Sequence, residues 1–223
     1  MTSGHSTLPG RSAGGSRPGT ELLPEGLGPP PDMPAGIFTA ALRVILDCSR
    51  LDMRSLAVQL GIGRATLYRK VGSRDRLLGE VLWFMTRHEI AQALRQGSGL
   101  TGAERIVSLV GAFMHGAHGR AALRRLLDSE PEIALRILTS KHGPVQRGMI
   151  GVVRRLLDQE EAIGSLRLNI DPDTLAYVIV RIGETFLYGD VIAGHPVDID
   201  QATEVVARLL VGSSAPIGGA PSA

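Results

Sequence analysis

From Ile37 to Val211 the apolar residues return every three or four positions, and nowhere over a useful length do they alternate. A period near 3.6 turns one face of a helix toward a core, whereas a half-buried strand needs a period of two. The chain is therefore expected to be all-α. The start and stop signals divide it into about nine helices. Asp52, Ser73, Asp171 and Asp198 are N-cap residue types at helix starts, Pro172 takes a first helical position, and Gly61 ends a short helix. Thr101 with Glu104 reads as a capping box. One long helix is expected over 172–192 and a last one from Asp198 to about Val211.

Several classes are excluded by what is missing. With 43% hydrophobic residues a sizeable core is available, yet no apolar run approaches the roughly 18 residues of a membrane span. Residues 1–34 lack an apolar signal core, so a cytoplasmic protein is expected. They hold seven Gly and seven Pro, a composition read as a disordered tail, as is 213–223. A single cysteine rules out a disulfide framework or a Cys-rich zinc module; Cys48 falls on the apolar face of the first helix and reads as core. His115 and His118 lack a third metal ligand, so no metal is expected, and no cofactor motif is present. An enzyme of this class would need a phosphate loop, a nucleophile elbow or a His-Glu-x-x-His helix, and none occurs. Among the basic residues only Lys70 and Lys141 are lysine, an arginine bias suggestive of a GC-rich bacterial genome.

Charge is unevenly placed. Residues 35–95 hold ten basic against five acidic residues, while 96–223 carry a small acidic excess. A basic third beside an acidic remainder is the asymmetry of a chain that meets a polyanion with one part. That third contains DMRSLAVQLGIGRATLYRKV (52–71), two short helices about the turn Gly61-Ile62-Gly63, which is helix-turn-helix spacing. Leu56, Ala57, Leu60, Ile62 and Leu67 supply its small core. Arg64, Thr66, Tyr68, Arg69 and Lys70 on the second helix are the mixture of Arg, hydroxyl, Tyr and Lys suited to base edges and phosphates.

Residues 37–78 resemble the DNA-binding domain of the TetR family of one-component transcriptional regulators. The resemblance rests on Leu56-Ala57, Gly61-Ile62, Thr66-Leu67-Tyr68, Arg69-Lys70 and Arg74-Asp75-Arg76-Leu77-Leu78. Gly63 stands where the family usually has a capping Ser, Ala65 where it has Gly, and Val71 where it has Phe. The resemblance implies phosphate contacts from Thr66 and Tyr68, Lys70 on the backbone or a base edge, Arg64 in the major groove and Arg74 on a phosphate; Arg76 reads as a solvated surface charge. It also implies a helix-turn-helix domain over 35–80 and a ligand-binding and dimerisation domain over 81–212. A repressor released from a palindromic operator by a small molecule follows as the expected function. A small all-α enzyme, or a DNA-binding protein without a ligand, are the alternatives.

In the second domain, Tyr177, Arg181, Glu184, Thr185 and Tyr188 form a polar stripe on an apolar helix. It is read as a pocket wall, a seam between subunits, or a solvent face. On the pocket reading, Arg181 anchors a polar head and Phe113, Met114, His118 and Met149 complete the lining. Val178, Ile182, Val205, Val206, Leu209 and Leu210 are expected at a homodimer interface, and Asp158, Glu160 and Glu161 on a solvated helix end. The stretch from Arg181 to Asp190 is similar to QsdR-type members of the family, which implies an acyl or lactone effector.

Overall fold

The computed structural model describes residues 22–23 and 27–214, and these residues hold eleven helices and no strand. They are α1 (Ala35–Leu46), α2 (Met53–Gln59), α3 (Arg64–Val71), α4 (Arg74–Gln96), α5 (Gly102–His118), α6 (Ala121–Ser129), α7 (Pro131–Thr139), α8 (Pro144–Ala162), α9 (Pro172–Leu187), α10 (Gly189–Ala193) and α11 (Ile199–Ser214). The architecture is all-α, as the periodicity predicts. The tail readings on 1–21, 24–26 and 215–223 fall outside the described residues.

The expected caps close their helices through measured bonds. The Ser55 N–H donates to Asp52 Oδ1 (2.7 Å), the Arg76 N–H to Ser73 Oγ (3.0 Å), the Thr174 N–H to Asp171 Oδ2 (2.8 Å) and the Gln201 N–H to Asp198 Oδ1 (2.8 Å). The α2–α3 turn begins with Gly61 at φ +65, a conformation that costs glycine nothing, and the Ile62 N–H returns to the Ala57 carbonyl at 3.1 Å. Leu56, Ala57, Leu67 and Val71 are buried behind it. The Phe38 ring meets Phe84 edge-on at 5.3 Å, joining α1 to the long α4.

Helix α4 begins beside α3 and ends in the second half of the chain, where it packs on α5, α7 and α8. There α8 lies along α9, and α11 covers α5 and α9. The Trp83 indole of α4 packs against α8 at Gly148, where any Cβ would overlap the ring.

Four expectations are corrected. Thr101 makes no side-chain cap at α5; the Gly102 N–H donates instead to Glu160 Oε2 at 2.6 Å. Glu160 is fully buried rather than solvated, because Arg105 Nη1 (2.5 Å) and Ser165 Oγ (2.6 Å) also converge on its carboxylate. The helix expected over 172–192 breaks at Tyr188, whose φ of −110 and ψ of 9 separate α9 from α10. Finally, part of the stretch read as a tail is core. Leu22, Leu23 and Met33 are buried, and the described residues 22–23 and 27–33 lie on the helices as a strap. Arg155 Nε donates to the Leu22 carbonyl (2.8 Å), Arg87 Nη2 to the Gly28 carbonyl (2.7 Å), and Arg76 pairs with Asp32. The apolar residues of this segment are too few to outweigh its Gly and Pro content in a composition reading, yet Leu22, Leu23 and Met33 each find a covered place.

Candidate functional site

Two places concentrate the residues singled out from the sequence. The first is the outer face of α3. Its inward positions, Leu67 and Val71, are fully buried, which fixes the helix on its core and turns Arg64, Arg69 and Lys70 to solvent. Thr66 and Tyr68 are half-buried beside them. The Arg64 guanidinium lies 5.5 Å from the centre of the Tyr68 ring, a cation–π contact that holds the arginine at the helix start. Gly63 supplies no side-chain cap, leaving the first N–H groups of α3 open to an anion. Among the described residues, Arg64, Arg69 and Lys70 pair with no carboxylate, so their charge is available to a partner.

Arg74 and Arg76 do not belong to that face. The Arg74 side chain is mostly covered and committed inside the protein: Nε donates to the Leu51 carbonyl and Nη2 to Glu130 Oε1, both at 2.7 Å. Glu130 also accepts from Arg50 Nε at 3.1 Å. The expected phosphate contact of Arg74 is thus corrected: its guanidinium ties the helix-turn-helix unit to the α6–α7 junction. Arg76 is an exposed surface charge, as read, and it pairs there with the exposed Asp32 of the strap. Neither partner is visible in local sequence, since Glu130 lies 56 residues from Arg74.

The second place is a cavity in the C-terminal half, lined by residues of α4, α5, α8 and α9. Of the residues singled out from the sequence, Phe113, Met114, Met149, Glu184 and Tyr188 line it, and Ile90, Val153 and Ile179 add an apolar wall that sequence reading missed. Its lining is almost wholly carbon, and its free volume is about 40 Å³. An adjoining chamber of about 20 Å³ shares Phe113, Met149 and Tyr188 and adds Thr86, Glu89 and Arg120. Both are far smaller than a drug-sized site of roughly 300 Å³ or more, so a ligand of that size enters only by displacing side chains.

The polar stripe of α9 divides. Glu184 and Tyr188 turn inward and are buried, while Tyr177, Arg181 and Thr185 face out. Tyr177 and Arg181 line neither chamber, and His118 lies exposed at the end of α5, so these three are corrected as lining residues. Helical spacing puts all five on one stripe; α8 runs along α9 from Arg154, which bonds Asp173 at 2.9 Å, to Gln146, which lies over Glu184, and Tyr177, Arg181 and Thr185 fall outside that contact. Arg181 Nη1 reaches the buried Glu184 Oε2 from outside at 2.6 Å, and Gln146 Nε2 approaches both Glu184 oxygens at 3.3 and 3.4 Å. Burial pushes the Glu184 carboxyl above its usual range, against the opposing pull of Arg181 and Gln146. Burial, with Glu184 nearby, pushes the Tyr188 phenol up as well. Gln146 is the residue most clearly missed; a buried glutamine on an apolar face was its only signal.

Other readings are settled nearby. Cys48 is half-buried at φ 54 past the end of α1 rather than in the core. Val206 and Leu210 are fully buried within the chain, so of the residues expected between subunits they are already covered. Among the described residues no cluster is arranged to hold a metal ion, and no helix is long and apolar enough to cross a membrane.

A helix-turn-helix unit with an open basic face, joined by one long helix to a helical domain with an internal cavity, defines a single-chain regulator with two working ends. Residues 101–211 match the tetracyclin repressor-like C-terminal domain. The transcriptional repressor QsdR of R. erythropolis, a TetR-family structure, is 31% identical over 82% of this chain and 96% of its own, with a TM-score of 0.73. The transcriptional regulator FadR of Bacillus subtilis, solved with stearoyl-CoA, shares the fold at a TM-score of 0.52, with 16% identity over 79% of this chain and 97% of its own. None of the curated proteins matches the chain. The chain belongs to the TetR family. Members of that family are transcriptional regulators, not enzymes.

Proposed function

We propose that this protein is a cytoplasmic, homodimeric repressor that leaves a palindromic operator when a small, largely apolar molecule enters its C-terminal cavity. The reading divides the chain into a DNA-binding domain over 35–80 and an effector and dimerisation domain over 81–212. Arg64, Thr66, Tyr68, Arg69 and Lys70 contact DNA. The effector lies among Phe113, Met114, Met149, Glu184 and Tyr188. A lactone or an acyl compound fits such a lining.

The observation that carries the reading is the double engagement of α4. At its first turn Arg74 grips Leu51 and Glu130; about three to four and a half turns on, Met85, Glu89 and Ile90 line the two chambers. A ligand that separates α4 from α5 and α8 therefore shifts the support beneath α3. Release follows when the ligand favours the arrangement that binds operator less well. The similarity to QsdR, a repressor, supports the sign of regulation, and that to FadR an apolar effector. Two-fold assembly would use the outward faces of α9 and α11, where Tyr177, Val205 and Val211 are exposed and Val178, Ile182 and Leu209 only partly covered.

The test is direct. DNA fragments of the parent genome retained by the full-length protein are sequenced, and the recovered site is titrated with protein in the presence of acyl and lactone compounds. A palindromic site bound by a dimer and released by an apolar compound is expected. Release unaffected by a bulky Val153→Trp, or a monomer mass by light scattering at micromolar concentration, overturns the reading.

A further inference from the structure

Arg120 stands at the N-cap of α6 with its side chain in the smaller chamber. Its guanidinium pairs with Glu89 of α4. The Glu89 carboxylate reaches that pair by lying against α5 at Gly116, the position where a Cβ would collide with it. The pair is thus seated, not floating at a rim: the Arg120 and Glu89 side chains are only 29% and 12% exposed. Yet the Arg120 Nε–H is buried and has no acceptor among the described residues. A buried charged donor without a partner carries a desolvation cost that an entering acceptor would relieve. The larger chamber next door offers hydrocarbon contact and meets this one at Phe113, Met149 and Tyr188.

We propose that the two chambers form one bipartite effector site, in which the Arg120 Nε–H receives the oxygen of an uncharged carbonyl head group and the larger chamber receives a hydrocarbon body. This rests on the reading of the cavity as the effector site. Charge decides against an anionic head. Arg120 is already neutralised by Glu89, and the larger chamber contains the Glu184 carboxylate, itself matched by Arg181 from outside. A ligand carboxylate would be a further negative charge with no cation left to answer it, and a buried charge without a partner is the costly case. A ketone, ester or amide oxygen accepts the same hydrogen bond without that cost.

Space comes from the methionines. Met114 lines the larger chamber, Met85 the smaller and Met149 both. Their unbranched side chains re-pack at little cost, which lets a small cavity widen around a chain-like guest. The head group would lie between Glu89 on α4 and Arg120 at the start of α6. The far end of α6 leads directly to Glu130, the residue that holds Arg74.

The experiment titrates the full-length protein with 2-decanone and with decanoate near neutral pH, followed by the fluorescence of Trp83, the sole tryptophan, and by calorimetry. Wild type is expected to bind 2-decanone about tenfold or more tightly than decanoate, and Arg120→Met to weaken 2-decanone binding about tenfold. Glu89→Gln leaves Arg120 with an unneutralised charge, so it is expected to strengthen decanoate binding about tenfold. Should Arg120→Met fail to fold by circular dichroism, the ligand preference of Glu89→Gln decides. Equal 2-decanone affinity in wild type and folded Arg120→Met overturns the proposal. So does a wild-type preference for decanoate, unchanged selectivity in Glu89→Gln, or no binding of either probe. If 2-decanone binds independently of Arg120 but is lost in Val153→Trp, the bipartite site falls and the effector cavity stands.

Discussion

Lys70 and Arg74 lie four residues apart, but only one of them is free to meet DNA. Lys70 is exposed at the end of α3 with no carboxylate on it among the described residues, whereas Arg74 is fastened to Leu51 and Glu130. Lys70→Ala is expected to weaken binding to every DNA sequence and to lower the salt slope by roughly one released ion at about 0.15 M salt. An unchanged slope in a filter-binding titration rejects the contact. Glu184 shows what burial does to a charge that is only partly answered. Its folded carboxyl titrates above the ordinary 4.5, so the folded state holds a proton that the unfolded chain has released. This contribution to stability is fully present below 4.5 and is lost as pH rises through the folded value. Chemical denaturation of Glu184→Gln is expected to show a shallower fall in stability from about pH 5 upward than wild type. Parallel curves would mean that Glu184 titrates normally.

Among the elements, α2 and α3 show how much a short sequence decides alone. The Asp52 cap, the Gly61 turn and the inward Leu56, Ala57, Leu67 and Val71 are local features, and the structure realises each of them. The polar stripe on α9 was equally visible as a pattern, but its meaning was not. The same spacing places Tyr177 in solvent and Glu184 in a cavity, where Gln146 of α8, 38 residues away in sequence, lies over the carboxylate. The start of α5 makes the same point. Thr101 and Glu104 have the spacing of a capping box, yet the fully buried Glu160 of α8 takes the cap from 58 residues away. Burial alone would raise the Glu160 carboxyl, but Ser165, Gly102 and Arg105 together hold it below its usual range. Glu160→Ala strands a buried N–H and a half-covered arginine at once, and is expected to destabilise the fold by about 3 kcal/mol. A loss under about 1 kcal/mol in urea denaturation would show that the cap is dispensable.

For the whole molecule, the contacts between the two ends matter more than either end. Glu130 gathers Arg50 and Arg74 at the α6–α7 junction, and Arg136 of α7 bonds Asp75 of α4 at 2.5 Å. Both sets join the C-terminal half to the first turn of α4 or the residues just before α2. Glu130→Ala is expected to preserve operator affinity and effector binding while reducing effector-driven release about fivefold or more, the range of typical coupling energies. Full release in the variant would move the coupling elsewhere.

The strap has a practical consequence for anyone who shortens the chain. Leu22, Leu23 and Met33 each leave water on folding, and the segment's carbonyls and carboxylate serve three arginines drawn from both ends of the molecule. A gene trimmed to start at Pro34, as the glycine- and proline-rich leader invites, removes all of this. Counting only the three apolar side chains, the loss is about 5 kcal/mol, or roughly 10 °C or more in melting temperature. The trimmed protein should therefore be cut sooner by thermolysin in a pulse of limited proteolysis than the full-length chain. Equal cleavage rates would show that the leader can be discarded.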